Sequence, residues 1–220
     1  MGLPVTLLPQ PEKRAICNTS RGAGRATLSK NIMVDAQLLI PVILGTAREG
    51  RRSENAAKLV FSELEKRAGV TTEFVDIRTL NFDPHGPNDE TRDPEWALLA
   101  KRADGFIIVT PEYNHGYPGL LKHALDMNLE EYIHKAVGIC GVSAGPFGGT
   151  RVIEALLPVM RELGLVTTFT DVNFGHAGKI FNETGELQDE SFVKRVGKFL
   201  DEVIWMTRVL RHGRENMAPV

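Results

Sequence analysis

Short apolar runs alternate with segments of helical periodicity along most of this chain, and that alternation limits the folds it can adopt. Strands that are apolar on both faces are typical of a parallel sheet, which needs right-handed helical crossovers and helices covering both faces. The predicted strands are 38–44, 71–77, 105–110, 136–142 and 166–172. The predicted helices are 55–68, 95–102, 118–127, 151–163 and 192–210. The sequence therefore predicts one α/β domain, a doubly wound five-stranded parallel sheet with helices on both faces.

Two prolines fall inside these predicted elements. Pro41 lies within the first strand, where it removes one backbone donor from the hydrogen-bond ladder. Pro158 lies within the fourth helix, where we expect it to produce a kink.

Residues 1–36 differ from the rest of the chain. They show no sustained apolar period and are punctuated by Pro, Gly and Ser, so we expect a disordered or dispensable N-terminal extension. Five basic residues against one acidic residue give residues 1–32 a net charge of +4, which leaves −6 for the remaining 188. Two targeting hypotheses stay open, N-myristoylation at Gly2 and an organelle transit peptide, beside a true start at Met33.

Composition argues against several classes of protein. The formal net charge is −2, whereas broad capture of nucleic acid needs clustered positive charge. No segment reaches the roughly 18 apolar residues of a membrane span, and no apolar run of a secretory signal follows the start. Cys17 and Cys140 are too few for a disulfide framework, which favours a reducing compartment. We therefore expect a cytoplasmic protein with no nucleic-acid or membrane partner.

The loop after the first strand, residues 45–55, has the composition of an anion site. It joins a buried strand to a helix, whose start offers free backbone N–H groups and the positive end of the helix dipole. Thr46 and Ser53 add hydroxyls, and Arg48 adds a guanidinium, which together suit a phosphate group. The alternative is that Ser53 is only an N-cap and the arginines are solvated. The loop contains neither the Gly-Lys-Ser/Thr of a triphosphate loop nor G-x-G-x-x-G.

The loop after the third strand, residues 110–119, is unusually polar and aromatic. It holds two tyrosines, a glutamate, an asparagine and a histidine, a set of side chains suited to lining a planar ligand. The alternative is a Pro/Gly/Asn turn that carries a surface histidine.

The loop after the fourth strand, residues 141–150, is rich in glycine, which allows the backbone to approach a ligand and donate N–H groups. Gly141 to Gly145 also matches G-x-S-x-G, the nucleophile elbow of serine hydrolases. That elbow needs a helix directly after the serine, and here Pro146 and two glycines delay it. Asp171 and His176 follow in the order of a hydrolase triad, so a serine hydrolase using Ser143 stays open as an alternative.

Three segments together carry a family resemblance. They are Gly45-Thr46-Ala47-Arg48 with Ser53 and Asn55, then Pro111-Glu112-Tyr113-Asn114 with Pro118-Gly119 and Lys122-x-Ala124-Leu125-Asp126, then the glycine-rich loop after Ser143. In these segments the chain resembles the NADPH-dependent FMN reductases, flavodoxin-like proteins that include quinone, azo-dye and chromate reductases. The resemblance covers roughly residues 37–200. It implies a flavodoxin-like FMN-binding domain, which we place at 37–212, and a tail at 213–220.

The resemblance also implies which residues hold FMN. Four would bind the phosphate: Thr46, Arg48, Ser53 and Asn55. Four would line the ribityl chain and the ring: Pro111, Glu112, Tyr113 and Asn114. Three would bound the ring from the other side: Ser143, Ala144 and Gly145.

The chain departs from the family pattern at two places. The stretch from Arg48 to Ser53 is longer than in some members, which leaves open whether Arg48, Arg51 or Arg52 grips the phosphate. His123 stands where the family commonly has asparagine. Met127 and Asn128 stand where it commonly has an aromatic pair.

The implied function is an FMN-dependent NAD(P)H oxidoreductase with NADPH or NADH as donor. Two electrons would pass by a ping-pong scheme through FMN to a small-molecule acceptor such as a flavin, a quinone or an azo compound. The cofactor carries the chemistry, so no catalytic side chain and no metal site is assigned, although Tyr113 and His115 are candidates for the ring edge. A homodimer or homotetramer is expected, with the helix at 118–127 and the segment after it in the contact. A flavin-binding electron carrier or redox sensor without turnover is the alternative.

Overall fold

A computed structural model describes residues 37–83, 85–86 and 92–217. The predictions for residues 1–36, and the end of the predicted tail at 218–220, lie outside the described residues.

All paired strands of the fold run parallel. The strands are β1 (Leu38–Leu39), β2 (Val42–Leu44), β3 (Val70–Thr71), β4 (Phe74–Asp76), β5 (Gly105–Pro111), β6 (Ala136–Val142), β7 (Val166–Thr167) and β8 (Val172–Phe174). The main sheet has the order β4-β2-β5-β6-β7, with β8 also paired to β6, and β1 pairs with β3. The helices are α1 (Ser53–Glu65), α2 (Pro94–Arg102), α3 (Gly119–Asp126), α4 (Thr150–Glu162), α5 (Ala177–Ile180) and α6 (Ser191–Asn216). The predicted doubly wound, flavodoxin-like α/β fold is confirmed.

Three predicted strands are each divided in two, for local reasons. The first divides at Pro41, which has no N–H for the ladder. Ile40 and Val42 on either side still donate to the carbonyls of Thr71 and Glu73. The second divides between β3 and β4, and it ends early because the Asp76 carboxylate accepts from the Arg78 N–H and starts a 3₁₀ turn.

The fifth predicted strand, 166–172, divides into β7 and β8 because its middle bonds to a helix. The Glu202 carboxylate of α6 accepts from the backbone N–H groups of Phe169 and Thr170. Those amides are therefore taken out of the ladder, and the strand resumes at Val172 and ends at Phe174.

Helices cover both faces of the sheet. Along β5, Phe106 and Ile108 pack into the layer of α2, α3 and α4, whereas Ile107 and Val109 pack into the layer of α1 and α6. That alternation produces two apolar cores, one on each side of the sheet. At Gly138 of β6 the α6 helix comes so close that an added Cβ would be 2.5 Å from the Phe199 ring.

The last helix is longer than predicted. It continues to Asn216, so residues 213–216, predicted as tail, are helical. Arg211 donates to the Asp104 carboxylate at 3.2 Å and Arg214 to the His134 carbonyl at 2.7 Å, which fixes the end of α6 to the loops before β5 and β6. The fourth helix continues through Pro158 to Glu162.

The three loops singled out in the sequence meet at one edge of the sheet. β2, β5 and β6 are neighbours, with Leu44 beside Val109 and Pro111 beside Val142. The carboxyl ends of such strands are where open α/β sheets bind ligands. Across the described part of the chain, no helix combines the length and the apolar character needed to cross a membrane.

Candidate functional site

A cavity of about 650 Å³ lies between the first and second loops. Its lining residues are Thr46, Ala47, Arg48, Glu112, Tyr113, Asn114, Pro118, Gly119 and Leu120. The volume is within the range of small-molecule sites. The structure thus brings five of the predicted cofactor-binding residues to one cavity.

Ser53 lies in the first turn of α1, the helix that follows the first loop, and it is not among the lining residues. The N-cap residue is Arg52 and makes no side-chain cap, so the interpretation of Ser53 as the N-cap is wrong. Its hydroxyl is buried and has no hydrogen-bond partner among the described residues. A buried hydroxyl without a partner at a helix start is a ready donor to an anion such as a phosphate.

Arg51 is the arginine of the first loop that faces inward. Its side chain is 3% exposed, and its guanidinium donates to both carboxylate oxygens of Asp76 and to the Thr46 carbonyl. Burial alone would lower the pKa of Arg51, but the carboxylates of Asp76 and Glu54 outweigh burial and raise it. Arg51 therefore stays charged, and its guanidinium bonds to groups of the protein itself.

Arg48 and Arg52 are the exposed arginines of the same loop. Arg48 lines the cavity, and its backbone N–H donates to the Thr46 hydroxyl at 3.3 Å. The Arg52 guanidinium lies against Gly178 of α5. Arg48 and Arg52 thus keep exposed guanidinium groups, whereas that of Arg51 is buried and bonded within the protein.

Asn55 does not line the cavity. Its side chain lies against Gly185, where an added Cβ would be 2.8 Å from the Asn55 Oδ1. The amide thus meets the turn at 182–185, and its assignment to the phosphate stays a prediction from the resemblance.

The second loop is a tight turn with an aromatic ring at its base. Tyr113 and Gly116 exchange two backbone hydrogen bonds of 2.9 Å, and Asn114 and His115 between them have φ values of 49° and 68°. Positive φ at both central residues is the geometry of a type I′ turn, which asparagine tolerates well. The Tyr113 hydroxyl lies 2.8 Å from the Thr46 Oγ1, so the second loop is bonded to the first.

Glu112 connects the second loop to the third. Its Oε1 accepts from Arg151 at 3.1 Å, and Arg151 also stacks on the Phe147 ring at 4.7 Å. Its Oε2 is buried and has no partner in the described chain. Glu112 lines the cavity, and a ligand hydroxyl or N–H that reached this oxygen would supply the donor that the described residues do not.

The third loop folds against β8. The Ser143 hydroxyl donates to the Gly145 carbonyl at 3.0 Å, and the His176 backbone N–H donates to the same carbonyl at 2.8 Å. Gly148 has a φ of +61°, and an added Cβ would be 2.7 Å from the Asn173 Cβ, so only glycine fits there. The cavity lining does not include Ser143, Ala144 or Gly145.

The nucleophile elbow of a serine hydrolase is not formed at Ser143. The elbow needs a helix directly after the serine, and α4 begins only at Thr150. The Ser143 hydroxyl is engaged in its own turn, and His176 meets that turn through its backbone.

Cys140 belongs to the core, as its position in a buried strand predicted. It is fully buried in β6, and burial raises the pKa of its thiol. A thiol with a raised pKa is a poor nucleophile.

Sequence reasoning missed Asp76. The sequence pattern places Asp76 only as one position of the second predicted strand, yet its carboxylate accepts from Arg51 and it lies beside Leu44, the last residue of β2. A carboxylate at the end of a strand next to the arginine-rich loop was the available signal.

The sheet order, the helices on both faces and the cavity at the carboxyl ends of β2 and β5 define a flavodoxin-like protein. A solved structure with this fold is FerB, a flavoenzyme NAD(P)H:(acceptor) oxidoreductase from Paracoccus denitrificans. It matches with a TM-score of 0.64 and 23% identity, over 78% of this chain and 98% of that one.

The family model described as NADPH-dependent FMN reductase matches residues 38–179. The chain belongs to the NADPH-dependent FMN reductase family, and with it to the NAD(P)H-dependent oxidoreductases. A quinone reductase from Pseudomonas putida is 26% identical over 161 residues, which cover 69% of this chain and 86% of that protein. An FMN-dependent NADPH-azoreductase from Staphylococcus haemolyticus is 27% identical over 178 residues, covering 74% and 92%. FMN and NADPH are the cofactors of the family.

Proposed function

We propose that this protein is an FMN-dependent NAD(P)H reductase that serves a nicotinamide donor and a small-molecule acceptor in turn, by a ping-pong scheme. The observation that carries the proposal is the cavity between the first and second loops, together with two buried polar atoms that have no partner among the described residues: the Ser53 hydroxyl in the first turn of α1, and the Oε2 of Glu112, which is a lining residue. The relatives support acceptors such as a quinone or an azo compound, with a free flavin as a further member of the class.

The residues present fit FMN. A phosphate at the start of α1 would supply the acceptor that the Ser53 hydroxyl lacks and would lie beside the charges of Arg48 and Arg52. A ribityl hydroxyl or a ring N–H would supply the donor that the Glu112 Oε2 lacks. The predicted set of Thr46, Pro111, Tyr113, Asn114, Ser143, Ala144 and Gly145 would complete the walls.

Bound FMN supplies a ring that accepts a hydride equivalent from the nicotinamide and passes two electrons on. The protein's own contribution is binding and orientation. The Tyr113 hydroxyl is engaged with Thr46, so Tyr113 orients the second loop rather than acting as a base. His115 is exposed at the tip of its turn and is not among the residues that line the cavity.

In the proposed scheme the donor and the acceptor would share the cavity between the first and second loops. Donor and acceptor would both reach the ring from the solvent side, and therefore one after the other. Initial rates measured at several fixed acceptor concentrations should give parallel double-reciprocal lines. Intersecting lines would contradict the scheme and leave the cofactor assignment standing.

A homodimer or homotetramer is part of the proposal. The first residues of α3 line the cavity, and the following segment exposes two apolar side chains, Leu129 at 53% and Ile133 at 41%. A second subunit covering this segment would also border the site. Light scattering over a hundredfold range of protein concentration should give a mass above 24.3 kDa, and a monomer throughout would contradict it.

The decisive experiment is reduction of the flavin-loaded protein without oxygen. The purified protein should be yellow, and mixing with NADPH or NADH should bleach it. Re-oxidation by a quinone should restore the colour. A flavin-loaded protein that neither nucleotide bleaches would instead be an electron carrier or a redox sensor.

A further inference from the structure

Asp76 lies at the carboxyl end of β4, outside the cavity lining. Its Oδ1 accepts from the Arg51 Nη1 at 2.8 Å, its Oδ2 accepts from the Arg51 Nη2, and Arg78 donates to the same Oδ2 at 3.0 Å. Burial alone would raise the pKa of Asp76, but the hydrogen bonds from Arg51 and Arg78 hold it well below its usual range. These contacts favour the ionised carboxylate, which pairs with the Arg51 guanidinium through both of its oxygens.

Arg51 passes this anchorage to the first loop. The same Nη1 that bonds Asp76 also donates to the Thr46 carbonyl, while the Nε donates to Glu54 at 3.2 Å. A guanidinium has five N–H groups, and these bonds engage four of them. Together with the near-complete burial of the side chain, this leaves Arg51 little capacity to bind a phosphate and makes it a support for the backbone of Thr46.

Thr46 continues the connection into the cavity. Its carbonyl is held by Arg51, and its hydroxyl lies 2.8 Å from the Tyr113 hydroxyl. Thr46 is 1% exposed as a residue, so both contacts are shielded from water. A continuous chain of contacts thus runs from Asp76 through Arg51 and Thr46 to Tyr113, and it joins the first loop to the second.

We propose that Asp76 and Arg51 are positioning residues of the flavin site, which hold Thr46 and, through it, Tyr113 in the geometry that binds the ring. The inference rests on the proposed function and adds to it that two residues outside the cavity lining set the affinity for the ring. Loss of Asp76 would leave the buried Arg51 charge without its main partner, and the guanidinium would then move away from the Thr46 carbonyl toward water.

The two possible roles of Arg51 predict different ligand dependence. A phosphate ligand matters for FMN and not for riboflavin, which has the same ring and ribityl chain but no phosphate. A positioning residue that acts through Tyr113 matters for both flavins. The test is therefore to titrate the apoprotein with FMN and with riboflavin, using the quenching of flavin fluorescence to measure binding.

The variants are Asp76→Asn and Arg51→Met, with Arg48→Met and Arg52→Met as matched controls from the same loop. We expect Asp76→Asn and Arg51→Met each to weaken both flavins by a similar factor, tenfold or more. The two controls, Arg48→Met and Arg52→Met, should weaken FMN and leave riboflavin unchanged. Weakening of FMN alone by Arg51→Met, or no change in either flavin, would overturn the inference.

A second readout separates positioning from general destabilisation. At saturating FMN, Asp76→Asn should alter the shape of the visible absorbance band of bound flavin, as Tyr113→Phe should. The double variant should lose no more flavin affinity than the more affected of the two single variants. Asp76→Asn keeps the volume of the side chain, and circular dichroism establishes that each variant is folded. An unaltered band in Asp76→Asn with additive losses in the double variant would refute the connection.

The outcome also distinguishes this inference from the proposed function. If the unmodified protein binds neither flavin, the proposed function fails. If it binds FMN and the variants at Asp76 and Arg51 bind it equally well, only the positioning role fails.

Discussion

Replacing Ser53 with alanine should change the stability of the apoprotein and its affinity for FMN in opposite directions. The Ser53 hydroxyl is buried without a partner in the described chain, and leaving such a group unsatisfied costs about 1–3 kcal/mol. Alanine removes that cost and leaves only a small void in its place. We therefore expect Ser53→Ala to leave the free energy of unfolding of the apoprotein unchanged or to raise it by about 1 kcal/mol.

The affinity should fall, because the hydroxyl is expected to donate to the FMN phosphate. A hydrogen bond to a charged group contributes about 1.5–3 kcal/mol, which corresponds to a roughly tenfold to hundredfold rise in Kd. The assay pairs urea unfolding of the apoprotein with titration of FMN at the same pH and salt concentration. Ser62→Ala is a matched control on the same helix, since its hydroxyl already donates to the Leu59 carbonyl at 3.0 Å.

The control should lose a little stability and bind FMN normally. A loss of more than about 1 kcal/mol of apoprotein stability in Ser53→Ala would mean that the hydroxyl has a partner within the protein. An unchanged Kd for FMN would mean that no phosphate lies at the start of α1. Either result would refute the reasoning.

Three further outcomes are expected. Gly138→Ala should lower the free energy of unfolding by roughly 1–3 kcal/mol in urea melts, because the new Cβ would collide with Phe199, and an unchanged midpoint would contradict the packing of α6 on β6. Burial, aided by a nearby arginine, lowers the pKa of Lys135 to about 8, below its unfolded value near 10.5, so stability should rise as pH rises from about 8 toward 9.5. Lys135→Met should abolish that rise in urea melts across the range. Arg151→Met should leave the largely buried Glu112 carboxylate without its cation and raise the Kd for FMN about tenfold in a fluorescence titration, and an unchanged Kd would contradict a role for Glu112 at the cavity.

The sequence predicted the elements of the fold better than their limits. Apolar runs identified the strands because buried parallel strands are apolar on both faces. The division of the fifth strand depends on Glu202, which reaches the backbone of Phe169 from a helix some thirty residues along the chain, and no local pattern reports such a contact. The end of α6 likewise depends on Arg211 and Arg214 meeting loops far away in sequence.

The candidate site was predicted at the level of its loops. Thr46, Arg48, Glu112, Tyr113 and Asn114 come together at one cavity, as the sheet order and the family pattern imply. The roles of the three arginines were not predictable, because they depend on which guanidinium faces inward. The inward-facing one, Arg51, is bonded to Asp76 of β4, whereas all three arginines lie in the loop after β2. Ser53 was recognised as a phosphate candidate from its type and position, and its burial adds the evidence that no sequence pattern gives.

The packing of α6 on β6 has a consequence for the order in which the protein is made. Phe199, Leu200 and Val203 of α6 fill the core against the face of β6, yet α6 follows every strand in the chain. A nascent chain that has formed α1 and the described strands still exposes to water the part of that sheet face that α6 covers in the finished fold. This core is therefore completed only when the last helix becomes available, and until then the uncovered apolar surface favours aggregation.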